Sequence, residues 1–344
     1  MKVKYVIFAI ILISMLIFSV SCARDQQNEG PAFEEGQYLE GLRGIDITLE
    51  SPEEMKLTPG QSFSYLVNLK NLGRWPPRDL ASYRPMKLII YGYDPSYLEY
   101  EEEEKEIEGS DLPGKTRYGP GGEQLITFSG DVNEENVLEL GTPRLKQDTI
   151  ITACYDYATQ ASFPICIDRD GSGQKDGSGC PKEASVTLSA GQAAPVSVTK
   201  VDYRTDKISP DQVRVRFDIY FNQVDESQNL KIYDIQATSL RTGDDVDACD
   251  PDAPLERQNY GWIQFTEEGT VVAPTILATT DLECPLLKNT DNKFNIYREN
   301  PVLSCFATLD VGPDVLNTPL TIKTEYRVTQ SIVQPILIEN LGFG

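Results

Sequence analysis

The chain has 344 residues, enough for two domains, and a net charge of −22 from 31 Lys and Arg against 53 Asp and Glu residues. Such an acidic surface repels nucleic acid and anionic lipid headgroups, so we expect no nucleic-acid binding. The sequence has no histidine, which excludes catalytic triads with an imidazole base and removes the commonest zinc ligand.

The N-terminus predicts export. Lys2 and Lys4 precede an uninterrupted apolar run from Val6 to Val20, which is nearly long enough to span a bilayer. The run leads into Cys22 and is similar to a lipobox, with Ser19 where a bulky apolar residue is usual. Residues 1–21 are therefore predicted to be either a cleaved signal peptide that leaves a lipidated Cys22 or an uncleaved membrane anchor, with a plain secreted product as the remaining alternative.

The first two interpretations place the rest of the chain outside the cytoplasm, anchored at the cell surface. Residues 22–41 are polar and contain few large apolar side chains, a composition typical of a flexible tether.

Short alternating segments separated by turn residues predict the first folded domain, residues 42–188. Candidate strands lie at 44–49, 62–69, 86–91 and 124–128, and no segment shows a convincing helical period. This pattern predicts an all-β antiparallel sandwich of the immunoglobulin type.

The next two candidate strands, 149–154 and 164–167, are predicted to form a β-hairpin. Cys154 and Cys166 lie symmetrically about residue 160, so this hairpin would place them directly opposite each other, close enough for a disulfide. A bond from Cys166 to Cys180 competes with this pairing.

The loop that follows the hairpin resembles part of an EF-hand calcium loop. It offers Asp at positions 1, 3 and 9, a hydroxyl at position 5 and glycine at position 6. Position 12 is Gly179 rather than the bidentate Glu, and the loop follows a strand, so a solvated Gly/Ser loop is the competing interpretation. The candidate calcium ligands are Asp168, Asp170, Ser172, Gln174 and Asp176, and no other cofactor is predicted.

Residues 189–196 are predicted to be a linker, and residues 197–344 a second sandwich. The candidate strands of this domain begin at 195–203 and 213–221, and the second ends in Asn222 as the earlier strand ends in Asn71. Further strands are predicted at 231–235, 261–265, 294–297, 303–309 and 320–328.

The cysteines predict disulfides rather than metal thiolates. Besides Cys22 there are six, an even number in an exported chain, and no C-x-x-C pair occurs. Cys284 and Cys305 are predicted to pair within the second domain, whereas the partner of Cys249 stays open.

Two resemblances add to this interpretation. The Pro59-Gly60 turn, the strand from Phe63 to Leu69 and the strand end Asn71-Leu72-Gly73 resemble the CARDB-like immunoglobulin modules of archaeal and bacterial surface proteins. The stretch from Ala153 to Val196 is similar to exported two-domain proteins of small-genome archaea, a group with no established activity. The resemblance implies tandem immunoglobulin-like modules at the cell surface and no particular chemistry.

These observations lead to a non-enzymatic, membrane-anchored surface protein with a structural or adhesive role, whose partners are other surface proteins or glycans. One alternative is a filament or layer subunit that assembles by β-strand addition through an apolar strand such as 336–341. A second alternative is an envelope hydrolase with paired carboxylates, which leave no local signature. Candidate aromatic platforms for a ligand are Trp75 with Tyr83, and Tyr91 with Tyr93 and Tyr97.

Overall fold

Within the described residues, strands make up nearly all of the regular structure, and the helix α1 (Glu134–Glu139) is short. The computed structural model describes residues 41–76, 83–139, 141–168, 180–188, 192–222, 230–233, 262–264, 275–276, 280–285, 293–295, 302–310 and 315–340. The all-β prediction is therefore confirmed. The predicted signal segment and tether, up to residue 40, lie outside the described residues.

The described strands are numbered in chain order. They are β1 (Ile45–Leu49), β2 (Met55–Leu57), β3 (Ser62–Asn71), β4 (Met86–Tyr91), β5 (Leu98–Tyr100), β6 (Glu104–Ile107), β7 (Glu123–Val132), β8 (Arg144–Asp168), β9 (Glu183–Thr187), β10 (Val198–Ser209), β11 (Gln212–Phe221), β12 (Leu230–Tyr233), β13 (Trp262–Gln264), β14 (Thr275–Ile276), β15 (Thr280–Asp281), β16 (Lys293–Asn295), β17 (Val302–Asp310) and β18 (Val315–Glu339).

Hydrogen bonding joins these strands into three large sheets and a small one. Two four-stranded sheets have the orders β1-β3-β7-β5 and β17-β11-β10-β9. The largest sheet has the order β15-β14-β18-β8-β4-β6, with β12 and β2 also paired to β18, while β13 pairs with β16.

The longest pairing in the fold joins β8 and β18. Each strand has 25 residues, and the antiparallel register runs without a break from Arg144 opposite Glu339 to Asp168 opposite Val315. Strands from both sides of the predicted linker therefore share the largest sheet. The division into domains at residues 189–196 stays a prediction.

The predicted hairpin between residues 149 and 167 is wrong. Its two strands are parts of the single strand β8, in which Gln160, at the expected turn, pairs with Lys323 of β18. Cys154 and Cys166 consequently lie twelve positions apart on one strand and cannot face each other. The long-range partner β18 supplies the hydrogen bonds that a local turn would have provided.

The C-terminal segment is also paired within its own chain. Ile336 lies opposite Gln147 of β8 on one side and Met55 of β2 on the other, the latter in a parallel pairing. Ile336 and Ile338 are buried. Both edges of residues 336–338 are therefore paired within the chain, and assembly through this segment stays a prediction.

Apolar side chains of all three large sheets form one hydrophobic cluster. The Tyr100 hydroxyl of β5 lies 2.8 Å from the hydroxyl of Thr149 on β8, and the Tyr203 hydroxyl of β10 accepts a 3.1 Å hydrogen bond from the Cys166 amide. Each four-stranded sheet therefore contacts the central strand of the eight-stranded sheet.

The described part of the predicted linker is buried rather than exposed. The Tyr157 hydroxyl donates a 2.6 Å hydrogen bond to the Ala193 carbonyl, and the Tyr326 hydroxyl accepts one of 3.3 Å from the Val196 amide. Asn222 accepts from the Ser197 amide at 2.6 Å and donates to the Pro195 carbonyl at 2.8 Å. This segment is thus fixed by side chains from three strands or strand ends.

Candidate functional site

The four-stranded sheet β17-β11-β10-β9 presents one apolar face and one charged face. Alternation along β11 directs Val213, Val215 and Phe217 into the core, where all three are buried. The residues between them point to the opposite side and are exposed or half-buried. Strict alternation of apolar and charged residues therefore builds this second surface, which we call the charged face.

The antiparallel register arranges the charged face in rows that cross the strands. Residues on neighbouring strands that lie opposite each other share a row, because opposed side chains leave the same face of a sheet. From one end, the rows are Thr187, Lys200, Tyr220 and Val302; Ser185, Asp202, Asp218 and Ser304; Glu183, Arg204, Arg216 and Phe306; and Asp206, Arg214 and Thr308.

Ion pairs connect these rows along the strands. Lys200 Nζ lies 2.6 Å from Asp202 Oδ2, and Arg204 Nε lies 2.9 Å from Asp206 Oδ2. Arg216 Nη2 lies 3.3 Å from Asp218 Oδ1. These side chains are 29–60% exposed, so each pair contributes little to stability. Breaking such a pair therefore costs little free energy of unfolding. Because the side chains are also accessible, the pairs are suited to recognising a partner.

Two aromatic rings on the charged face lie beneath cations. The Lys200 Nζ atom sits 4.6 Å from the centre of the Tyr220 ring, and the Arg214 guanidinium carbon 4.9 Å from that of Phe306. Cation–π contacts of this kind hold the long side chains over the rings and limit their conformations. The face is therefore more ordered than a row of free lysines and arginines.

Hydrogen bonds keep Asp202 ionised. Partial burial raises its pKa, but hydrogen bonds from Lys200, Ser185 and Tyr220 outweigh that effect, and the net pKa lies below the ordinary value of 3.8. The hydrogen bond to Asp202 also raises the pKa of Lys200. Both groups are charged at neutral pH, so they are suited to ion-pair recognition.

The charged face contains an open depression of about 680 Å³. Asp202, Arg204 and Arg216 lie along it, with Asp218, whose Oδ1 accepts a 2.5 Å hydrogen bond from Ser304. The depression offers donors and acceptors side by side, an arrangement that binds a polar or charged partner.

Two disulfides join cysteines singled out in the sequence. Cys166 at the end of β8 bonds to Cys180, and Cys284 bonds to Cys305 on the core side of β17. Cys154 is also disulfide-bonded and is buried in β8. Cys22 and Cys249 lie outside the described residues.

The calcium prediction falls largely outside the described residues. Asp168 ends β8 and is buried, whereas Asp170, Ser172, Gln174 and Asp176 are not described. Among the described residues, no group of three or more acidic or cysteine side chains could hold a metal ion. The calcium site stays a prediction.

The candidate aromatic platforms lie mostly in packed positions. Trp75 is fully buried in the core, and its ring meets the Tyr83 ring edge-on at 6.4 Å. Tyr93 packs against Tyr100 at 4.6 Å and is hydrogen-bonded to Glu103. Trp75, Tyr93 and Tyr100 therefore pack against other rings of the fold, whereas Tyr83 is 36% exposed.

The sequence interpretation did not identify the charged face, although one signal was available. Ser209 pairs with Gln212, so Pro210 and Asp211 form a two-residue turn between β10 and β11. The turn and the alternation along both strands indicate a charged face. They would place Asp202 opposite Ile219, however, and the β-bulge between Lys207 and Ser209 shifts the register by one residue so that Asp202 lies opposite Asp218.

No helix within the described ranges is long and apolar enough to cross a membrane. No family model matches the chain, and no curated protein matches it by sequence.

Proposed function

We propose that this chain is an exported, non-enzymatic cell-surface protein that the N-terminal segment anchors in the membrane. Its folded part consists of two tandem immunoglobulin-like sandwiches of the CARDB-like kind and has a structural or adhesive role. Other surface proteins, glycans or copies of the same chain are its partners.

The two disulfides carry this proposal. Cys166–Cys180 and Cys284–Cys305 close loops of 14 and 21 residues. Disulfides persist in oxidising compartments outside the cytoplasm and are rare inside it. Together with the apolar run before Cys22, they support a location at the outer side of the membrane.

The charged face supports the adhesive role. It combines half-exposed rings with cations and carboxylates that hydrogen bonds and cation–π contacts hold in place. A partner that matches this pattern gains several ion pairs without ordering the side chains anew, because the face is preorganised.

Assembly by β-strand addition is a second candidate function. Among the described strands, β9 (Glu183–Thr187) lies at the end of the order β17-β11-β10-β9. An edge strand presents unpaired amide and carbonyl groups, to which the strand of a neighbour can be added.

The location can be tested in the cells that produce the protein. Protease added to intact cells should degrade the native chain, whereas a cytoplasmic marker should survive until the cells are opened. A Cys22→Ser variant should lose its lipid label if Cys22 is lipidated, and it should keep its membrane location if the apolar run is an uncleaved anchor. A chain that resists protease in intact cells, or that fractionates with the cytoplasm, contradicts the proposal.

A further inference from the structure

The charges on β10 repeat in a self-complementary order. Lys200, Asp202, Arg204 and Asp206 project from the charged face at successive alternate positions. Read in reverse, this series places Asp206 opposite Lys200 and Arg204 opposite Asp202. Two copies of β10 laid face to face in antiparallel directions would therefore match charge for charge.

The series on β11 is self-complementary about the same centre, which lies between the Asp202 row and the Arg204 row. Starting from the row of Lys200, its members are Tyr220, Asp218, Arg216 and Arg214. Reversal places Arg214 over the Tyr220 ring and Arg216 over Asp218. The first is a cation–π contact and the second an ion pair.

The flanking strands match without charge conflict. On β9, reversal brings Ser185 opposite Glu183, which forms a hydrogen-bonding pair. On β17, the same operation brings Ser304 opposite Phe306, both uncharged. All four strands share one relation, a two-fold axis in the plane of the face that runs across the strands between the Asp202 row and the Arg204 row.

We propose that the charged face binds the charged face of a second copy of this chain around this two-fold axis. The central contacts are Asp202 with Arg204 of the second copy and Asp218 with Arg216 of the second copy, each occurring twice. An isologous contact of this kind uses one patch on both subunits. Each carboxylate has two oxygens and each guanidinium five donors, so the pairs within a copy can be shared with its partner.

The charge balance of the face favours a second copy as partner. The chain carries a net charge of −22, so most surfaces of two copies repel each other. The charged face has four basic residues (Lys200, Arg204, Arg214 and Arg216) and four acidic ones (Glu183, Asp202, Asp206 and Asp218). Two such faces meet without net repulsion.

The size of the face sets the strength of the contact. Four strands about 4.8 Å apart and four rows about 6.8 Å apart cover roughly 500 Å² per copy. A stable interface needs about 800 Å² per partner, so the contact is weak in dilute solution. It becomes effective between copies held on one membrane, where tethering raises the local concentration, and in this respect the inference rests on the proposed anchoring.

A charge-swap experiment on the full-length chain tests the inference. The protein carries a donor or acceptor dye on an added C-terminal tag, is reconstituted into lipid vesicles and is purified by flotation. Energy transfer between copies is measured as the amount of protein per lipid rises. Three variants are compared with the original chain: Arg204→Glu, Asp202→Arg, and the off-face control Lys70→Glu, which changes the net charge as Arg204→Glu does.

The original chain and Lys70→Glu should show concentration-dependent transfer. Arg204→Glu alone and Asp202→Arg alone should each weaken it about tenfold or more, because each reversal creates two like-charge contacts. Mixing Arg204→Glu with Asp202→Arg should restore transfer, since every central contact then again joins opposite charges.

Other results overturn the inference. They are transfer that never exceeds random proximity, transfer that survives both single reversals, or a mixture that stays as weak as its components. Thermal unfolding of each variant shows whether it folds. A chain that does not float with the vesicles contradicts the anchoring, whereas a chain that floats without transfer contradicts only the dimer.

Discussion

Arg327 Nε donates a 2.8 Å hydrogen bond to Asp156 Oδ1, and both side chains are almost completely buried. The two residues lie directly opposite each other on β18 and β8, in the centre of the longest strand pair. Taking two charges out of water costs free energy that only a well-formed pair offsets. The pair therefore constrains the register of β8 against β18, since a shift would separate the charges.

Removal of one member of this pair should destabilise the protein. Arg327→Met leaves the Asp156 carboxylate buried without its counter-charge, and we expect unfolding free energy to fall by about 3–5 kcal/mol. Urea denaturation measures this loss. Replacing both residues, Asp156→Leu with Arg327→Met, should recover most of it.

The surface pair of Lys105 and Glu102 provides the control. It joins opposite charges at 2.6 Å, but its side chains are 29% and 64% exposed. Lys105→Met should leave the urea midpoint close to that of the original chain. Equal losses for Lys105→Met and Arg327→Met would show that burial does not determine the effect.

Gly73 lies too close to the Tyr157 side chain to accept a larger residue. A Cβ atom there would overlap the Tyr157 hydroxyl oxygen and lie 2.5 Å from the Ala193 carbonyl oxygen. Gly73→Ala should therefore displace Tyr157 and break its hydrogen bond to Ala193, lowering stability by about 1–3 kcal/mol. Gly119→Ala, whose Cβ meets nothing nearer than 3.6 Å, is the matched control for thermal unfolding.

Local sequence signals located most of the strands. β4 was predicted at 86–91 and observed at Met86–Tyr91, because Asp94-Pro95 marks the turn after it. β11 was predicted at 213–221 and observed at Gln212–Phe221, because its alternation is strict and Asn222 follows it. In both cases the information lies within a few residues of the strand.

The sequence did not predict the pairing of β8 with β18. Ala158 to Ser162 looked like a turn because these residues are small or polar, yet Thr159 and Ala161 are buried and Thr159 bonds to Tyr326 at 2.7 Å. That partner lies 167 positions away. Sequence patterns that extend over a few residues cannot predict a contact at such a separation.

The disulfides should contribute measurably to stability. Replacing Cys284 and Cys305 together by alanine should lower the unfolding free energy by about 2–4 kcal/mol, chiefly because the unfolded chain gains freedom. The same change at Cys166 and Cys180 should cost slightly less, since that loop is shorter. Thermal unfolding with and without a reductant checks both. Double variants whose midpoints match that of the oxidised original chain would contradict the prediction.

Buried tyrosines should make the protein sensitive to alkali. Burial raises the pKa of Tyr155, Tyr157 and Tyr326 above the ordinary value of 10.0. In the unfolded chain these hydroxyls lose their protons near pH 10, while the folded chain retains them. The folded state then binds more protons, so the stability present below about pH 10 declines as the pH rises further.

Urea midpoints measured from about pH 8 to about pH 11 span the unfolded tyrosine pKa and should trace this decline. Tyr326→Phe should reduce by one the number of protons that the chain releases on unfolding. Its stability should therefore fall less steeply with pH, whatever the effect of the substitution at neutral pH. Tyr118→Phe, at a position 92% exposed, should leave the slope unchanged. Equal slopes for Tyr326→Phe and the original chain would contradict the assignment.

The pairing of β8 with β18 also determines the order in which the chain can fold. Asp156 and Arg327 are 171 positions apart, and contacts at such separations form slowly because a long loop must close first. During synthesis, β8 emerges long before β18 and exposes one unpaired edge rich in apolar residues. A chain that ends before Val315 would keep that edge open, and open edges promote aggregation. The pairing of β18, the last of the described strands, is thus the step that covers the open edge of β8.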